Sequence, residues 1–119
     1  MNNTYLYAPK FEHYLIMKYH KITNSLFIKN RAKFVKQLKP NSLAIFNSND
    51  IYPVSADSTL PFAQHRDIFY LSGVDQEESI LVIFPDAFDK TQREILFLKK
   101  TNEHIAVWEG EKLTKDAAF

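Results

Sequence analysis

The chain has 119 residues, no cysteine, and 15 basic against 14 acidic side chains for a net charge of +1. That length fits one domain, and 45% apolar with 24% charged residues is ordinary globular usage. The charge balance excludes a general electrostatic grip on nucleic acid. The missing cysteines exclude a disulfide framework, a thiolate zinc site and a cysteine nucleophile, and are compatible with a reducing compartment.

Residues 1–21 are rich in tyrosine without a clear period and read as an extension or arm outside the fold; 22–119 read as the domain. Within the extension, Pro9 can open a helix that presents Phe11, Tyr14, Leu15 and Lys18 on one face, and Met17 can itself be a start. Ile22, Leu26, Phe27, Phe34, Val35 and Leu38 then recur at three- and four-residue spacing, which predicts an amphipathic helix. Thr23 or Asn24 caps it, Pro40 ends it, and Lys29, Asn30, Arg31, Lys33 and Lys36 fill its wet face.

A short apolar run follows at 42–47. Residues 48–65, with Pro53 and Pro61, lack periodicity and form a stretch long enough to be functional or disordered. Segments 67–73 (DIFYLSG), 79–84 (SILVIF), 93–99 (REILFLK) and 104–110 (HIAVWEG) read as strands, with turns at Pro85-Asp86 and at 100–103. ILVIF and ILFL do not alternate, so their strands have two apolar faces and require cover on both. One helix is thin cover for such a sheet. Thr114 and Asp116 mark a helix start at 114–119, which reads as a fold continuing past Phe119.

The residues that carry chemistry are few. Gly73 and Gly110 are the two glycines, too few for a phosphate-cradling loop. No apolar run approaches the roughly 20 residues of a membrane span, and Lys10, Glu12 and His13 interrupt any secretory signal, so the chain reads as soluble and cytoplasmic. Asp57, Ser58, Gln64, His65, Arg66 and Asp67 form the densest polar cluster. His65 with Asp67 is a possible ligand pair or an oriented base, but two ligands make no metal site, and a polar loop bonding its own backbone is the better reading. Ser58, Ser72 and Ser79 lack the glycine-flanked turn of a serine nucleophile, and Glu109 and Glu111 read as solvated. Trp108, the single tryptophan, is either core or an aromatic wall at a strand end.

In order along the chain stand Arg31, KPNSLAIFNS, ADSTLPFAQHRDIFYLSGVDQEESILVIFPD, REILFL and WEGEKLT. This series resembles the N-terminal domain of Xaa-Pro aminopeptidases, the aminopeptidase P family related to prolidase and creatinase. The resemblance runs from Ile22 to Phe119. Its most specific piece is Asp57-Ser58, Pro61-Phe62, Gln64 and 67–73, linked with Glu78, Leu81-Val82 and Trp108-Glu109-Gly110.

The resemblance implies an α/β domain with a mixed β-sheet of about five to six strands flanked by helices. It implies a non-catalytic domain that shapes the substrate cleft and oligomer contacts of an enzyme removing the residue before a proline. The partners implied are the protein's own C-terminal catalytic domain, proline-containing peptides and further copies of the chain, with no nucleic acid and no membrane. A dinuclear metal centre, commonly manganese, would belong to that catalytic domain, whose ligands are not in this sequence. Two residues match cleft positions of the family: Trp108, which reaches toward the active site, and Asp57, which lies near an active site across a subunit contact.

Overall fold

A computed structural model describes residues 20–99. The expectations for an N-terminal arm, for the strand bearing Trp108 and for a helix opening at Thr114 lie outside the described residues.

The first helix, α1, spans Asn24–Val35 with Thr23 as its N-cap. The Thr23 hydroxyl does not cap through its side chain; it bonds the Ser25 hydroxyl at 3.1 Å. At the other end the amides of Gln37 and Leu38 bond the carbonyls of Phe34 and Val35, tightening the last turn before Pro40 stops it. Phe27 is buried and Phe34, Val35 and Leu38 pack on the core, as the spacing predicts. Leu26 and Ile28 are exposed. Asn30, assigned to the wet face, is buried instead, because its side chain amide donates to the Tyr70 carbonyl at 2.8 Å.

Three strands form one antiparallel sheet: β1 (Ala44–Asn47), β4 (Ile80–Ile83) and β5 (Glu94–Phe97), in the order β1-β4-β5. The register places Phe46, Leu81 and Leu96 side by side, with Ala44 and Ile83 beside one another on the same face. This face meets the helices: Ile68, Leu71, Leu81 and Ile83 form the buried cluster, with Phe34, Val35 and Leu38 against it. Phe34 and Phe46 meet edge to face at 5.3 Å. The opposite face carries Ile45, Val82 and Ile95, with Ile80 and Phe97 beyond them; Ile45, Ile80 and Phe97 are exposed. Turn chemistry joins the strands as read: Pro85-Asp86 forms a turn, and the Asp86 carboxylate receives the Asn41 amide at 2.6 Å.

Two segments differ from their sequence reading. The stretch 48–65 is not plain loop; it contains a hairpin of β2 (Pro53–Ser55) and β3 (Ser58–Thr59), paired antiparallel with a register shift. Segment 67–73 is not a strand but a helix, α2 (Arg66–Ser72). Its β-branched and aromatic residues favour a strand locally, yet Ile68 and Leu71, one helical turn apart, are the two that are buried. The His65 ring accepts the Asp67 amide at the N-cap, and Gly73 closes the C-cap at φ 73°, its amide bonding the Phe69 carbonyl. The chain is thus α/β, with all described strand pairs antiparallel and the helices stacked on one sheet face.

Candidate functional site

Asp57 sits with Ala56 at the tip of the β2–β3 hairpin, and every residue from 51 to 61 is exposed. The tip is tight: Ala56 adopts φ 46°, a left-handed conformation that costs an L-residue about 1–2 kcal/mol. Below the tip, the Leu60 amide bonds the Tyr52 carbonyl at 2.9 Å and keeps the two stems in register. The hairpin is therefore an arm that projects from the body, with Tyr52, Val54 and Leu60 open to solvent along it.

The arm is rooted at Asn49 and Gln64. The Asn49 backbone amide donates to Gln64 Oε1 at 3.1 Å, and Asn49 Nδ2 donates to the Ala63 carbonyl at 2.9 Å. The His65 amide donates to the same Gln64 oxygen at 2.8 Å. Gln64 Nε2 turns the other way and donates to the carbonyls of Val74 at 3.1 Å and Gln76 at 2.9 Å. Both of those residues are buried. Beside this root, the Ser48 amide bonds the Ser79 carbonyl at 2.8 Å while Ser48 Oγ accepts the Ser79 amide at 3.0 Å. The Ser79 hydroxyl, 1% exposed, lies 3.3 Å from the carbonyls of Gln76 and Glu77.

The polar cluster read from the sequence thus divides. Gln64, His65 and Asp67 meet at the root: His65 Nδ1 accepts the Asp67 amide at 3.3 Å and lies 3.9 Å from its carboxylate. Asp57 and Ser58 stand apart from them, at the far end of the arm. His65 serves as the N-cap of α2. Among the described residues no three His, Asp or Glu side chains come together in a way that holds a metal ion. No described helix is long and apolar enough to cross a membrane. Trp108 lies outside the described residues. Asn49 was missed by sequence reasoning; an asparagine opening a loop is a common feature, and only the fold brings it opposite Ala63 and Gln64.

Comparison with known proteins gives one consistent picture. The model of the family "Aminopeptidase P, N-terminal domain" matches residues 27–119. An Xaa-Pro aminopeptidase from Escherichia coli strain K12 is 30% identical over 97 residues, covering 82% of this chain and 22% of that protein. Intermediate cleaving peptidase 55 of Saccharomyces cerevisiae is 33% identical over 57 residues, 48% of this chain and 11% of its own length. The solved structure of zinc-substituted E. coli aminopeptidase P in complex with product has a TM-score of 0.71 at 30% identity, over 82% of this chain and 22% of that one. The structure of Pseudomonas aeruginosa aminopeptidase PepP has a TM-score of 0.74 at 24% identity over the same shares, a likeness of fold. The chain spans about a fifth of the length of the Xaa-Pro aminopeptidases it matches, at 22%.

Proposed function

The chain belongs to the aminopeptidase P N-terminal-domain family, and from that premise we propose that it serves as the non-catalytic domain of a metal-dependent Xaa-Pro aminopeptidase. Such an enzyme hydrolyses the bond between a first residue and a proline. The observation that carries the reading is the family match from residue 27 to 119, joined to a shared fold at 30% identity with an aminopeptidase P.

In this reading the chemistry would reside in a catalytic domain whose metal ligands are not among this chain's residues, and a metal pair there, manganese in the commonest case, would supply Lewis-acid activation and an activated water. The residues of this chain position substrate and exclude water. Trp108 forms an apolar wall of the cleft. Asp57, on its exposed tip, presents a carboxylate to a cleft outside its own domain, in keeping with assembly into a homo-oligomer. The absence of cysteine accords with work in a reducing cytoplasm.

A chimera tests the proposal. Residues 22–119 replace the corresponding segment of the E. coli Xaa-Pro aminopeptidase, and the product is assayed on peptides with proline in second position. The expected result is cleavage before proline with metal content equal to that of the parent. A folded, metal-loaded chimera without such cleavage overturns the assignment. Preference for Xaa-Pro dipeptides over longer peptides would transfer it to a prolidase-type relative.

A further inference from the structure

We propose that Gln64 is a positioning residue: its side chain amide fixes the direction in which the hairpin arm carries Asp57. The functional part of this inference rests on the reading that Asp57 faces a substrate cleft.

The arm needs such a device. Isolated two-stranded hairpins are marginal in water, and this one has strands of 3 and 2 residues. Residues 51–61 are exposed throughout, so apolar burial does not hold the arm against the body. Its direction is set where it joins, and there one side chain makes both kinds of connection. Gln64 Oε1 takes the amides of Asn49 and His65, closing the two stems on each other. Gln64 Nε2 gives its two hydrogens to the carbonyls of Val74 and Gln76. Two accepted and two donated bonds complete the capacity of a side chain amide, and the donor and acceptor partners leave one orientation for it.

The two carbonyls belong to a rigid anchor. Val74 follows the Gly73 cap of α2, is 3% exposed, and precedes the buried turn that feeds β4 through Ser79. Gln64 therefore joins the arm to the core, bonding both stems and this turn through one side chain, beside the bond that Ser48 Oγ accepts from the Ser79 amide. The lever is long. At about 3.3 Å per extended residue the tip lies roughly 20 Å from the root, so a tilt of about 10° moves it by roughly 3 Å. A misplacement of about 1 Å already costs on the order of 100-fold in a positioned reaction.

The chain has no cysteine, so introduced ones are unique labelling sites. Lys33→Cys on α1 and Ser58→Cys on the arm take spin labels, and the label-to-label distance distribution is measured in the full chain with Gln64, with Gln64→Glu and with Gln64→Met. Glutamate keeps the acceptor half and loses both donated bonds; methionine loses all four. Both variants are expected to widen the distribution at least about twofold while helical content stays that of the parent. In the chimera each is expected to lower kcat by about tenfold or more at unchanged metal content, with no further loss when Asp57→Ala is added. An unchanged distribution in both variants overturns the proposal. So does a widened distribution with full turnover in a chimera that Asp57→Ala impairs. Full turnover after Asp57→Ala overturns the cleft reading instead, and the distance measurement then decides by itself whether Gln64 holds the arm.

Discussion

The ring of Phe27 occupies the space that a side chain on residue 73 would enter: a Cβ on Gly73 would collide with Phe27 Cε2 and Cζ. The same ring meets Phe69 edge to face at 6.2 Å, so it is held between the last turn of α2 and its cap. The contact closes the α1–α2 pair, and it exists because Gly73 also takes φ 73°, where other L-residues are strained.

Gly73→Ala is therefore expected to destabilise the domain by about 2–5 kcal/mol, the sum of left-handed strain and overpacking. Chemical denaturation measures it. In a Phe27→Ala background the overpacking part should vanish and the strain part remain, so a double-mutant cycle separates them. Equal costs in both backgrounds would show that the ring imposes nothing on residue 73.

Arg31 ties three elements. Its Nε donates to Glu94 at 2.9 Å on β5 and its Nη1 to the Leu71 carbonyl at 2.8 Å, near the C-terminus of α2. Together with Asn30 on the Tyr70 carbonyl, it satisfies acceptors that a helix end leaves open. Arg31→Met should cost about 2 kcal/mol, the scale of hydrogen bonds to a charged group. Glu94→Gln should cost less than about 1 kcal/mol, because Glu94 is 45% exposed and water screens the pair. Urea melts of the two variants check the order; a larger loss for Glu94→Gln would mean that the ion pair outweighs the bond to the helix.

Asp89 carries the clearest pH signature. Its carboxylate accepts the Thr91 hydroxyl at 2.7 Å and the Thr91 amide at 2.9 Å, and these bonds, the hydroxyl first, hold its pKa below the ordinary aspartate range. A depressed folded-state pKa means that the local stabilisation is complete above the unfolded pKa and is lost as pH falls through the folded one. A carboxyl NMR titration of Asp89 should show a midpoint lower than in an unfolded peptide. Thr91→Val should move that midpoint upward by removing the hydroxyl donor while the amide remains.

Trp108 offers the direct test of the cleft. An indole wall positions substrate and excludes water without exchanging a proton in the chemistry. Trp108→Ala in the chimera should lower kcat/KM about 10–100-fold, equivalent to roughly 1.4–2.8 kcal/mol. Metal content and melting temperature should stay unchanged. A strongly lowered melting temperature with normal kinetics per folded molecule would make Trp108 a core residue, since large-to-small core changes cost about 3–5 kcal/mol.

Sequence alone determined the elements whose pattern and punctuation agree. Phe27, Phe34, Val35 and Leu38 lie on one stripe that Pro40 must end, and α1 forms there. ILVI and EILF, separated by Pro85-Asp86, pair as β4 and β5. The ordered series from Asp57-Ser58 to Trp108-Glu109-Gly110 identified the family. Tertiary structure decided the rest. Ile68-Phe69-Tyr70 leans toward strand by propensity, a preference spanning about 1 kcal/mol, whereas burying Ile68 and Leu71 against Leu81 and Ile83 contributes about 1.5–3 kcal/mol for each side chain. The helix wins because only a 3.6-residue period brings those two to the sheet together, and Gly73 can close it. Asn30 is polar in sequence and buried in the fold because the Tyr70 carbonyl, distant in the chain, stands opposite it. The arm was hidden for the same reason. Its strands are too short to announce themselves, and the bonds from Gln64 to Asn49, Val74 and Gln76 that root it exist only once the chain has brought those groups together.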